Sequence, residues 1–187
     1  YLDADLEAAV ETVRAIEEAG SNARQQAERK LRWPVTRVVV AADDDRVVDA
    51  VDEHGDLLAD RLNAREIELV APGESWSELR YSAEADMSEL GPAFGDRAGQ
   101  VMNALNDARV EEPTLDALAD AVSDALDADD ELTEEMVSFV TQTPDAVSGS
   151  AFSIDGDELG VAYVDTELNE DIESEGYARE VIRRVQE

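Results

Sequence analysis

Arg24-Gln-Gln-Ala-Glu-Arg-Lys-Leu-Arg-Trp-Pro-Val-Thr-Arg-Val-Val-Val-Ala41 contains the sharpest change of pattern in the chain, and the fold can be read outward from it. Before it, Leu2, Leu6, Ala9, Val13 and Ile16 recur at spacings of four and three, the mark of a helix with one buried stripe, and Asp3 is placed to cap its start. Gly20-Ser21-Asn22 weakens that pattern, but Ala23, Ala27 and Leu31 resume it, so one long helix with a soft spot is expected to end near Arg32. Pro34 cannot continue the helix and biases Trp33 toward extended backbone. Beyond it, Val35 to Ala41 is β-branched and reads as a strand covered on both faces.

The same stretch is chemically unusual for this chain. It holds five of the fifteen basic residues, Arg24, Arg29, Lys30, Arg32 and Arg37, against Glu28 alone, in a protein of formal net charge −32. On the expected helix Arg29 and Arg32 are three apart and share a face. A guanidinium pairs with phosphate through two parallel hydrogen bonds, and an unpaired base can stack on Trp33, so one reading is contact with RNA. The other is that these arginines pair with the abundant acids and that Trp33 anchors the core where helix meets strand.

Downstream, Val47, Val51, His54, Leu58 and Leu62 mark a helix from Arg46 to Leu62, ended by Asn63. Glu66 to Val70 alternates as a strand, and after Pro72-Gly73 so do Leu79, Tyr81, Ala83 and Ala85, which predicts a β-α-β-β unit whose first two strands run parallel. Gly91-Pro92-Ala93-Phe94-Gly95 reads as a loop, with Asp96 capping a helix that buries Ala98, Val101, Met102, Leu105 and Ala108. Pro113-Thr114 opens a helix reaching Leu126, Asp127 to Glu131 is an acidic loop, and Met136 to Thr143 suggests a strand. Phe152 to Ile154 and Leu159 to Val164 pair as a hairpin across Asp155-Gly156-Asp157. A last helix from Thr166 carries Leu168, Ile172, Ile182 and Val185 inward, with Arg179 and Arg183 four apart as a second cationic stripe. Gly176 inside it costs roughly 1 kcal/mol and signals close packing. The fold class is α+β: a small mixed β-sheet with packed helices, a long N-terminal helix and a C-terminal helix.

Composition excludes several functions. The chain has no Cys and only His54, so thiol catalysis, Cys-ligated zinc and a His cluster within one chain are ruled out. The runs Asp43-Asp44-Asp45 and Asp127 to Glu131 lack the glycine of a calcium loop and read as solvated surface. Among 47 carboxylates close pairs arise by chance, so no catalytic residue is nominated. A single lysine, Lys30, against fourteen arginines suggests adaptation to molar salt, where the Debye length falls to roughly 3 Å. No apolar run approaches the roughly 20 residues needed to cross a bilayer, and a cytoplasmic location is expected. The chain opens at Tyr1 without Met and stops within a helical pattern, and is expected to be a piece of something longer.

Five strings carry a family resemblance. Ala27 to Val35, Leu62 to Leu69, Leu90 to Gly95, Leu159 to Leu168, and Glu175 to Gln186 resemble, in order, the C-terminal region of archaeal-type, haloarchaeal-like class I isoleucyl-tRNA synthetases. The resemblance implies that residues 1–33 form the terminal helix of an anticodon-binding helical bundle and residues 34–187 an α+β tRNA-binding extension. It implies tRNA(Ile) and the remainder of the synthetase chain as partners, and neither DNA nor membrane. Arg29, Lys30, Arg32 and Trp33 would lie near the anticodon stem-loop, with Arg179 and Arg183 as further contacts and Arg24 and Arg37 in the same basic stretch. Ala93 and Asp96 stand where the family often carries lysines, so no RNA contact is assigned to the Gly91 to Gly95 loop. The parent enzyme joins isoleucine to its tRNA with ATP and Mg, but this fragment is expected to be non-catalytic and to hold no cofactor, since neither His-x-Gly-His nor Lys-Met-Ser-Lys-Ser is present. A reading of a different class is an acidic, salt-adapted protein-protein interaction module that binds no RNA.

Overall fold

The computed structural model describes residues 4–186 and the surroundings of side chains 6–182, so Leu2, the Asp3 cap and the side chains of Arg183 and Val185 lie outside the described residues. The chain divides into two compact units, one formed by the residues up to Trp76 with those from Asp145 onward, the other by Ser77–Pro144.

In the first unit, helix α1 (Ala4–Gln26) runs through Gly20 unbroken. Leu62 lies so close there that a Cβ on Gly20 would come within 2.8 Å of its side chain. The helix stops well short of Arg32, because Glu28 turns left-handed at φ 54. The Glu28 N–H then donates to the Gln25 carbonyl at 3.0 Å and the Arg29 N–H to the Arg24 carbonyl at 2.8 Å, which together form a Schellman closure. The buried stripe also begins later than the spacing implied: Val13, Ile16, Ala19 and Ala23 are buried, whereas Leu6 is 57% exposed.

Strand β1 (Arg37–Ala42), helix α2 (Asp45–Leu62) and strand β2 (Ile67–Val70) follow as expected. Asp44, inside an acidic run, accepts the Arg46 N–H and caps α2. Strand β1 pairs parallel with β2. On its other side it pairs antiparallel with β6 (Asp157–Asp165). Strand β5 (Val147–Ile154) completes the order β2-β1-β6-β5. The β5–β6 turn, Asp155-Gly156, has positive φ at both residues, as a two-residue hairpin of this kind requires. Val38 and Val40 join α1 and α2 in one core. Val39, also buried, opposes Tyr163, whose ring packs 5.3 Å from Trp76, so both faces of β1 are covered. Helix α6 (Glu170–Gln186) starts later than Thr166, where the Asn169 side chain accepts the Ile172 N–H. It buries Ile172 and Gly176, while Leu168 and Ile182 are exposed, which corrects the expected inward stripe.

The second unit has its own core, gathered around Leu90, Val101, Leu105 and Leu118. Strand β3 (Arg80–Ala85) pairs antiparallel with β4 (Val137–Gln142) and not with β2, so the expected β-α-β-β unit is instead β-α-β. Alternation marks which face of a strand is buried but does not choose its partner. The expected Gly91 to Gly95 loop is mostly helix α3 (Met87–Phe94), capped by Asp86 and with Pro92 inside it, and Asp96 does not cap the helix from Ala98, which starts without a side-chain cap. Gly91 has no Cβ to meet the proline ring, and Leu90 and Phe94, four apart, both bury. A 3-10 turn leads into α4 (Ala98–Asp107), and Thr114 caps α5 (Leu115–Ala121). The acidic loop is not simply solvated, since Asp130 accepts from Arg97 at 2.9 and 3.0 Å and Asp127 pairs with Arg97 at 3.0 Å.

A non-glycine residue in the left-handed region is strained, so Glu28→Gly is expected to raise the unfolding free energy by about 0.5–1 kcal/mol in a denaturant titration. A loss of stability would show that the Glu28 side chain, not the backbone, closes α1.

Candidate nucleic-acid interface

The basic stretch does not present its arginines on one helical rod. Arg24 is the last-turn residue of α1 and only 2% exposed. Its guanidinium donates to the carbonyls of Leu62 at 2.6 Å, Lys30 at 3.0 Å and Leu31 at 3.3 Å, and also to that of Trp33. Those carbonyls belong to the end of α2 and to the turn that follows α1, and of the three in that turn the Lys30 carbonyl also accepts the Trp33 N–H at 3.0 Å. Burial, and then the neighbouring Arg29, lower the pKa of Arg24 to about 10, so it remains charged at neutral pH. Arg24 therefore builds the corner and offers no surface to a ligand.

Around this centre the turn from Glu28 to Trp33 is stitched to two distant segments. Arg29 donates to the Thr166 carbonyl at 3.0 Å, and its guanidinium lies 5.7 Å from the Trp33 ring centroid. Asn63, left-handed at the end of α2, donates to the Leu31 carbonyl at 3.0 Å and accepts from Arg179 at 3.2 Å. Arg179 also donates to the Arg32 carbonyl at 3.2 Å and to Glu175 at 2.5 Å, and Arg65 reaches Glu175 at 2.9 Å. Trp33 packs edge-on to Tyr177 at 5.3 Å, and a Cβ on Gly176 would run into its indole, which is the close packing that this glycine signalled.

Two of the nominated cations face outward. Lys30 is 68% exposed, 3.9 Å from Glu180. The Arg32 side chain is exposed and, among the described residues, has no hydrogen-bond or ion-pair partner. Arg37 is elsewhere, on β1, held by Glu68 at 3.2 Å and Asp165 at 3.3 Å with its guanidinium 5.3 Å from the Trp76 ring. Arg183 lies on α6, with its side chain outside the described residues. The structure thus gathers Arg29, Lys30, Arg32, Trp33 and Arg179 at one corner, with Arg24 beneath it, by turn and helix contacts that spacing did not reveal. Sequence reasoning missed Asn63, Arg65 and Tyr177. The helix end expected at Asn63 was the only local signal for any of them. Among the described residues no three His, Asp or Glu side chains converge as metal ligands.

No family model matches the chain. Curated relatives do. It is 68% identical to an isoleucine–tRNA ligase of Natronomonas pharaonis over all of this chain and 18% of that protein. It is 69% identical to that of Halobacterium salinarum over 97% of this chain and 17% of that protein, and 42% identical to that of Methanosarcina acetivorans over 100% and 18%. Over its whole length the chain matches a segment of isoleucine–tRNA ligases. The resemblance read from the five strings is borne out, and the chain spans under a fifth of the length of these relatives. Four of the five strings that carried the resemblance meet at the corner, through Arg29 and Trp33, Asn63 and Arg65, Thr166, and Glu175 to Arg179.

Gly176→Ala tests how the corner is held. In an exposed helix the change would stabilise by roughly 1 kcal/mol. Here it is expected to destabilise by about 2 kcal/mol, because the added methyl must displace α6 from Trp33. Thermal unfolding followed by tryptophan fluorescence reads both the shift and the loosened indole. A rise in Tm would mean that α6 does not rest on Trp33.

Proposed function

We propose that this chain is the non-catalytic, C-terminal tRNA-binding part of an isoleucyl-tRNA synthetase, contacting tRNA(Ile) near its anticodon. What supports this most is the convergence, in a chain of net charge −32, of Arg29, Lys30, Arg32 and Arg179 on one corner where Arg32 has no internal partner among the described residues. A guanidinium left exposed and unpaired amid 47 carboxylates is suited to meet phosphate. In molar salt, for which the composition is fitted, such contacts act at hydrogen-bonding range with little long-range steering. On this reading residues 1–33 end an anticodon-binding bundle and residues 34–187 are the extension. ATP and Mg serve the parent enzyme elsewhere, and the protein works in the cytoplasm. Among the described residues no helix is long and apolar enough to cross a membrane.

A second reading, an acidic module that packs on protein and uses its arginines internally, is favoured by Arg24 and Arg37, both committed within the fold, and by an apolar patch at Leu6, Val10 and Leu57, 57%, 40% and 43% exposed. In the synthetase reading the same patch packs on the remainder of the ligase chain.

Arg32→Ala separates the two, because it removes no contact within the fold. It is expected to leave thermal unfolding within about 0.5 kcal/mol of the parent, to weaken anisotropy-measured binding of labelled tRNA(Ile) in KCl, and to reduce the slope of log K against log salt by about one. Absence of saturable binding by the folded chain would favour the interaction module.

A further inference from the structure

Tyr177 was not among the residues expected to contact RNA, and its setting is unusual. It lies on α6, 60% exposed, in a chain with few aromatic residues. Its ring meets Trp33 at 5.3 Å and 73°, an edge-on arrangement that leaves an aromatic face open. Trp33 is itself fixed, between the Gly176 backbone, which leaves no room for a Cβ, and the Arg29 guanidinium. The exposed tyrosine therefore stands on a rigid base. Arg179, two residues on, donates to the carbonyl of Arg32, which directly precedes the Trp33 that Tyr177 contacts; on α6, Glu175 pairs with Arg179 and Glu180 with Lys30, while Glu173 lies one turn before Tyr177.

We infer that Tyr177 is a stacking platform for an unpaired RNA base, with Arg32 and Lys30 meeting the phosphates on either side of it. The inference rests on the tRNA-binding reading and adds the class of nucleotide read, unpaired and accessible on one face. Charge complementarity selects this occupant over a protein segment, since in this acidic chain the exposed aromatic lies at the corner where Arg29, Lys30, Arg32 and Arg179 gather, and Glu175 and Glu180 beside it are already paired with Arg179 and Lys30. Stacking also tolerates the high salt that weakens phosphate contacts, because it depends on contact area and not on net charge.

The chain is titrated with a short single-stranded RNA and with the same RNA annealed to its complement. The variants are Tyr177→Phe, Tyr177→Leu and Arg32→Ala, with circular dichroism confirming that each is folded. The parent is expected to prefer the single strand; Tyr177→Leu weakens that binding about tenfold and removes the preference, whereas Tyr177→Phe stays within about twofold. Arg32→Ala weakens both forms alike. If Arg32→Ala weakens binding and Tyr177→Leu does not, the platform is wrong and the tRNA reading stands. If the parent binds no RNA, both fall. A Tyr177→Leu variant that changes the sedimentation of the chain but not its RNA binding would make this face a protein contact and overturn the inference.

Discussion

A single buried charge, the guanidinium of Arg24, holds the corner between α1, α2 and the turn after α1 together. Taking an ion out of water is unfavourable unless its donors are met, and here four carbonyls, the last of α2 and three in the turn after α1, meet its two terminal nitrogens, while Nε is buried without a partner. The Lys30 and Leu31 carbonyls have second donors in the Trp33 N–H and the Asn63 side chain, whereas those of Leu62 and Trp33 rely on the arginine. Helix α2 leaves its final carbonyls without intrahelical donors, and the turn between Arg29 and Trp33 forms no ladder of its own. A lysine could not replace Arg24, because a compact ammonium cannot span two segments as the planar fork does. The only lysine in the chain, Lys30, is exposed and reaches Glu180 at 3.9 Å without entering the interior.

This division of labour explains how a chain of net charge −32 can carry a cationic corner. Arg24 and Arg37 spend their charge inside the first unit, on carbonyls or on Glu68 and Asp165. With Arg24 anchoring the turn, Arg32 is not needed for folding and faces outward. At molar salt exposed ion pairs contribute little, and the half-buried Arg37 pairs outlast them. A surface arginine there gains most from a partner that supplies bidentate geometry or an aromatic face, since neither depends on a long-range field.

Much of this architecture was legible wherever the signals were local. The strand after Pro34, the capped end of α2 at Asn63 and the Asp155-Gly156 turn each follow from a few neighbouring residues, and the structure has all three. The errors came where the deciding contact was distant or the residue was not the customary one. Helix α1 closes at Glu28, a left-handed position without the usual glycine. Helix α3 tolerates Pro92 because Leu90 and Phe94 pull it into a core. Arg24 looked like one more cation of a basic run, and only the carbonyls of Leu62 and Trp33 show that it points inward. Gly176 was the exception among distant contacts: its cost in a helix announced a neighbour, though not that the neighbour was Trp33.

The order of elements adds a constraint on when the corner can exist. Strand β1 lies between β2, which closely follows it in the chain, and β6, which arrives only after the second unit has been traversed. The sheet of the first unit thus remains two-stranded until the residues after Asp145 are in place, and a pair of strands alone is marginal in water. The corner waits longer still, since Arg29 bonds Thr166 across 137 positions and Trp33 rests on a helix near the end of the chain. Contacts of such separation form only after the loop between them has been closed, at an entropic cost that local pairs do not bear. The cationic surface is therefore a product of the completed fold. Arg24 and Asn63 can hold the turn without α6, but until that helix docks Arg179 is not beside the other cations and no aromatic base stands next to them.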